Sequence, residues 1–195
     1  MANEMMYQRR AVSDTKFEIR EADNDQKYIE GYFVVFGSEY HLWDGATETV
    51  DRGAFDGTLG DDIRALANHD TRLVLGRTSA GTLSLRVDDY GLWGRIAINP
   101  KDSDAVNLYE RVARGDVSQC SFGFDILDEE TEYLPNGDVK WTIKSVKLYE
   151  VSVVTFPAYE ETGVYARQHD LAAEEQRRSE MWRNKMHKKL KGELC

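Results

Sequence analysis

The sequence predicts a mainly β protein with some helix, an α+β fold, and three observations predict it. Two long runs, KYIEGYFVVFG at 27–37 and WTIKSVKLYEVSVVTFPA at 141–158, are rich in the β-branched and aromatic residues that suit a pleated surface. Turn chemistry recurs between the extended segments, at Asp88–Gly91 and at Pro135–Asp138. Helical spacing of apolar residues is clear in one segment, SDAVNLYERVARG at 103–115.

Taken in order, the first two dozen residues are polar and weakly periodic; 13–21 reads as a strand and the DNDQ stretch after it as a turn. The strand 27–37 follows. Ser38 to Asp61 reads as loop, and 63–68 leads into "NHD" and "LVLGR". TLSLRVDDYGLWGRIAI, 82–98, is a hairpin. In the helix, Ala105, Val106, Tyr109, Val112 and Ala113 form one stripe, Asp102 or Ser103 caps the start and Gly115 closes the end. SQCSFGF, 118–124, is extended, so Ser118, Cys120, Phe122 and Phe124 share a core face. Gln119, Ser121, Gly123 and Asp125 share the other, polar and open to an approaching molecule. A hairpin at 135–138 delivers the last strand, which ends before Pro157. From about Leu171 to Leu190 the chain is charged and helix-compatible. The expected organisation is a main domain over 1–167 and a helical tail over 168–195.

The charge is uneven. Against a net charge of −10, the tail holds seven Lys/Arg and five Asp/Glu, which leaves the body at −12. Such a body does not suit nucleic acid as the main partner, because phosphate-binding surfaces cluster Lys and Arg. No apolar run approaches the length of a membrane span, and the first residues lack the apolar centre of a secretion signal. Cys120 and Cys195 make neither a disulfide framework nor a metal-ligand spacing. A soluble protein of a reducing cytoplasm, without metal or cofactor, is the expectation. Walker, zincin, dinucleotide and G-x-S-x-G motifs are absent from the sequence.

Of four histidines, His169 and His187 fall in the tail and His41 in the 38–61 segment; His69, between Asn68 and Asp70, sits at a strand-to-loop junction where rigid elements present functional groups. A serine hydroxyl becomes nucleophilic when a positioned imidazole takes its proton, and the imidazole benefits from a carboxylate that fixes its tautomer. In KLYEVSVV, Leu148, Glu150, Ser152 and Val154 share one face, so Glu150 is a carboxylate in an apolar strand, either an orienting group or one half of an edge-strand ion pair. Asp70 orients less well, since adjacent side chains on an extended chain diverge. Ser118 competes with Ser121 as nucleophile but lies on the core-facing side.

The ordered set GYFVVFG, ETVDRGAF, NHD with LGR after it, DDYGLW, GDVSQCSFGF and LYEVSVVTFPA resembles the prohead proteases of tailed bacteriophages of the HK97 type, over roughly residues 28–160. The resemblance implies a serine peptidase with the antiparallel β-barrel and flanking helices shared with herpesvirus assemblins. It places the histidine of the family's NHD motif on His69, the serine before Phe-Gly on Ser121, and the late-strand acid on Glu150, where assemblins have a second histidine. It further implies an endopeptidase that cuts the scaffolding segment of the major capsid protein precursor, and itself, inside the assembling prohead in the host cytoplasm. A homo-oligomer is consistent with it, and no nucleic-acid or membrane partner is implied. The tail reads either as a solvated, fraying helix or, from its charge and terminal position, as a segment that docks the enzyme in the prohead or is trimmed in self-processing.

Overall fold

In the computed structural model the two strongest β segments of the sequence become inner strands of two different sheets. The structure describes residues 7–12, 17–21 and 26–156, and six positions of the tail, 176, 179, 180, 182, 183 and 186, which are helical. Along the described residues the order is β1 (Gln8–Val12), β2 (Glu18–Glu21), β3 (Lys27–Val35), β4 (Tyr40–Trp43), β5 (Ala46–Val50), a 3-10 turn (Arg52–Phe55), β6 (Arg64–Ala67), β7 (Asp70–Arg77), β8 (Leu83–Val87), β9 (Gly91–Ala97), α1 (Ser103–Arg114), β10 (Gln119–Tyr133) and β11 (Val139–Val154). The chain divides into units 1–159 and 160–195. The domain boundary expected at 167 and most of the expected tail helix lie outside the described residues.

β11 organises the first sheet. It pairs antiparallel with β10 along its whole length. Its other edge is shared end to end by two short parallel strands, β5 against Val139–Ile143 and β6 against Glu150–Val153. β1 extends the sheet beyond β10, β4 beyond β5, and β7 beyond β6. The second sheet runs β2-β3-β9-β8, all antiparallel. Ile29, Phe33, Leu92 and Ile96 from this sheet meet Phe122, Phe124, Leu148, Val151 and Val153 from the first in one buried core. The stripe predicted on α1 adds Ala105, Tyr109 and Val112, together with Leu108. Asp102 caps that helix by accepting from the backbone N–H groups of Asp104 and Ala105, a contact worth about 1 kcal/mol, and Gly115 ends it at φ 87°.

The mainly β, α+β class is as the sequence predicts, but among the described residues the strands form two mixed or open sheets rather than one closed antiparallel barrel. The cause is the 16-residue length of β11, which outruns any single short partner and takes two parallel ones. The 38–61 stretch, expected to be loop, contains β4, β5 and the 3-10 turn. ATETV in β5 has little apolar alternation, and its pairing is with residues ninety positions away, so local pattern is silent about it. β1 also forms where no strand was expected. Ser118 precedes β10 and is exposed, not core-facing. No helix among the described residues is long and apolar enough to cross a membrane.

Candidate active site

β6 and β7 are joined by a two-residue turn: Ala67 pairs with Asp70, and Asn68 and His69 between them have φ of 51° and 59°. Positive φ at both central residues is the mark of a type I′ hairpin, whose twist matches the flanking strands. Asn tolerates that region, and His accepts it at a cost that its surroundings must cover. They do so through three hydrogen bonds to the end of β11. The Asn68 N–H donates to the Val153 carbonyl (3.0 Å), the Thr155 N–H to Asn68 Oδ1 (2.8 Å), and the His69 N–H to Ser152 Oγ (3.2 Å). The imidazole is thereby fixed beside β11.

Glu150 reaches that imidazole through an irregularity that local alternation does not reveal. Leu148 stands opposite Phe124 and Glu150 opposite Gly123, so Tyr149 has no partner across the ladder. This bulge turns the strand over. Leu148, Val151 and Val153 therefore all enter the core, whereas Glu150 and Ser152 lie on the other face with Gly123 and Ser121. The expected grouping of Leu148 with Glu150 on one face is corrected accordingly, while Val154, in unbroken register beyond Ser152, keeps the face of Glu150.

On that face the buried carboxylate of Glu150 accepts three hydrogen bonds. His69 Nδ1 donates to Oε1 at 2.6 Å, the Tyr7 hydroxyl to the same oxygen at 2.8 Å, and the Ser152 hydroxyl to Oε2 at 2.6 Å. Because an ionised carboxylate only accepts, Nδ1 holds the proton, and the neutral tautomer leaves Nε2 as a lone-pair acceptor. Nε2 is buried and has no hydrogen-bond partner among the described residues. Burial, and then the negative charge of Glu150, push the Tyr7 phenol above its ordinary range, so it stays a donor.

Ser121 lies opposite Ser152 across the β10–β11 ladder, two pairs beyond Gly123 and Glu150. The three residues singled out in the sequence thus converge on one end of β6, β10 and β11, with Ser152 touching the His69 turn, the Glu150 carboxylate and the pair position of Ser121. The structure does not join Ser121 to His69 by a hydrogen bond. Ser121 is fully buried, and its hydroxyl donates to the Arg10 carbonyl at 2.7 Å. The open polar face expected around it is not found: Ser121 is fully buried, and β1 pairs along the adjacent edge of β10 with Ala11 opposite Ser121. A cavity of about 320 Å3 lies beside the site, lined by His69, Glu150, Tyr7, Arg9, Arg64 and Tyr149 among others, and Ser121 is not part of its wall.

The other candidates lie apart from this cluster. His41 sits on β4 opposite Thr47. Asp70 turns to Arg72, whose guanidinium and backbone N–H hold its carboxyl at about 2. His169 and His187 lie outside the described residues. Sequence reasoning missed Tyr7 and Arg10; Gly123 it had already placed on the face of Ser121, and Ser152 on the face of Glu150, signals that could have found them.

The family model for the caudovirus prohead serine protease matches residues 15–177 of this chain. The prohead protease of Enterobacteria phage HK97 is 32% identical over 148 residues, which cover 74% of this chain and 61% of that protein. The chain therefore spans about three fifths of the curated relative it matches. Among solved structures, the capsid assembly protease gp21 of bacteriophage T4 aligns over 75% of this chain and 98% of its own, at 12% identity and a TM-score of 0.44. With the family model spanning most of its length, the chain belongs to the caudovirus prohead serine protease family.

Proposed function

We propose that this protein is a serine endopeptidase of capsid maturation, with Ser121 as nucleophile, His69 as general base and Glu150 as the group that orients and stabilises the imidazolium. The observation that carries this reading is His69 itself: Nδ1 is tied to a buried carboxylate at 2.6 Å while Nε2 is left without a partner among the described residues, on a turn fastened to the residue opposite Ser121. In the reaction His69 Nε2 takes the Ser121 proton as Oγ attacks a peptide carbonyl. The tetrahedral intermediate collapses when the same nitrogen gives that proton to the departing amine, and a water repeats the sequence on the acyl-enzyme. Glu150 offsets the charge on the ring at each transfer.

Family membership supports a capsid-maturation substrate. We assign the scaffolding segment of the major capsid protein precursor, and this chain itself, as substrates, cut inside the assembling prohead in the host cytoplasm. The domain over 1–167 would hold the chemistry, and the basic 168–195 segment the docking or self-trimmed role. Co-expression with the capsid precursor tests the assignment. Ser121→Ala is expected to lower cleavage by roughly 10^4-fold or more, and cleavage at the wild-type rate would overturn it.

A further inference from the structure

β1 is the end strand of its sheet, five residues long, and every residue of it is in register with β10, from Gln8 opposite Phe124 to Val12 opposite Cys120. An added strand of this kind is how peptidases and peptide-binding domains commonly hold an extended ligand, with main-chain hydrogen bonds giving affinity. Here the added strand is the chain's own. It lies beside the candidate nucleophile, whose hydroxyl donates to the Arg10 carbonyl of that strand.

Two observations set the resting state of the site. The Ser121 hydroxyl gives its proton to the Arg10 carbonyl, so that proton is not offered to His69. His69 Nε2, the atom that would receive it, is buried and unpaired among the described residues, and its side chain is only 6% exposed. The Arg10 carbonyl presents its oxygen to Oγ, whereas attack needs the carbonyl carbon within about 3–3.5 Å along a productive line. Ser121 is fully buried, and the edge of β10 beside it is taken while β1 is in place.

The strand is also fastened by side chains at its middle and just before its start. Arg10 crosses the Phe124 ring and grips the buried Glu48 with two nitrogens, Nε to Oε1 at 2.5 Å and the other to Oε2 at 3.0 Å. Tyr7 donates to Glu150. The same side chains that hold β1 down thus bear on the orienting carboxylate and the nucleophile at once.

From these contacts we infer that the outer edge of β10, opposite residues 120–124, is the binding site for an extended peptide, and that residues 7–12 occupy it in the resting protein as an internal blocking strand. The inference rests on the serine-peptidase reading above. Release of β1 frees the Ser121 proton for His69 Nε2 and vacates the edge for the peptide to be cut; its return restores the latent state. The apparent reactivity of Ser121 is then its intrinsic reactivity scaled by the fraction of chains with β1 displaced.

The test uses the full chain and a fluorophosphonate that reacts with activated serines, with the labelled residue located by mass spectrometry. Ala11→Pro removes the backbone N–H at position 11 and fixes φ, which disfavours an extended ladder position, and Arg10→Lys keeps the charge opposite Glu48 but loses the two-nitrogen grip. Labelling of Ser121 is expected to be slow in the unaltered chain, about tenfold faster in Ala11→Pro and about threefold faster in Arg10→Lys. A synthetic peptide of residues 7–12, YQRRAV, is expected to slow labelling of Ala11→Pro back toward the unaltered rate. Ser121 labelled at one common rate in all three folded proteins would overturn the blocking strand and leave the peptidase reading standing. Failure to label Ser121 in any of them would overturn both.

Discussion

Glu150 stands directly opposite Gly123, and the space between them admits no side chain. A Cβ at 123 would lie 2.5 Å from Glu150 Oε1 and 2.0 Å from the Tyr7 hydroxyl. The glycine is needed for close approach rather than for an unusual backbone angle. It lets a carboxylate from the neighbouring strand lie over β10 and reach His69. Gly123→Ala is therefore expected to push the carboxylate off the imidazole. Capsid-precursor cleavage should fall by roughly 10–100-fold, with the melting temperature lowered by a few degrees, as for loss of about 1–2 kcal/mol. Cleavage undiminished in a folded Gly123→Ala protein would show that this contact is irrelevant to turnover.

The carboxylate is expected to act through charge and tautomer rather than through binding. Glu150→Gln keeps the shape but can present an N–H to His69 Nδ1, favouring the wrong tautomer. The expected result is a fall in kcat of about 10^2 to 10^4 with little change in KM. A matched loss in KM instead would assign Glu150 to substrate binding.

Asp70, next to the histidine, gives a prediction about stability rather than catalysis. Its carboxyl is held at about 2 by the Arg72 side chain and then by the Arg72 backbone N–H, below the ordinary value near 4. A depressed folded-state pKa contributes stability that is fully present above the unfolded value and is lost as pH falls through the folded one. The melting-temperature gap between the unaltered chain and Asp70→Asn should thus be constant from neutral pH to about 4 and close between about 4 and 2. Since the pair is at the surface, the gap should be small and should shrink in high salt. A gap that persists unchanged at pH 2 would assign it to the hairpin backbone instead.

Reading the chain alone located the histidine turn, the serine strand and the acid strand, because each lies in or beside a segment with strong local pattern: the junction at NHD, the alternation of CSFGF, the branched run of KLYEVSVV. It also placed α1 and its caps, since capping and helical periodicity are local properties. β5 and β1 escaped notice because each is held by non-local pairing and by one buried ion pair, Arg10 with Glu48, that joins residues 38 positions apart. The strict alternation assumed for 148–154 failed at Tyr149, where the bulge moves Glu150 and Ser152 to the face opposite Leu148.

Sequence by itself determined the family and the mainly β class, because residue order and side-chain periodicity are written along the chain, and the resemblance it carries singled out His69, Ser121 and Glu150 as the candidate trio. Only the tertiary structure decided that Ser121 is buried beside β1, that its hydroxyl donates to the Arg10 carbonyl, and that His69 Nε2 has no partner among the described residues. Those facts depend on a strand from residues 8–12 adding to an edge more than a hundred residues away, and a five-residue polar strand has no pattern that announces its partner.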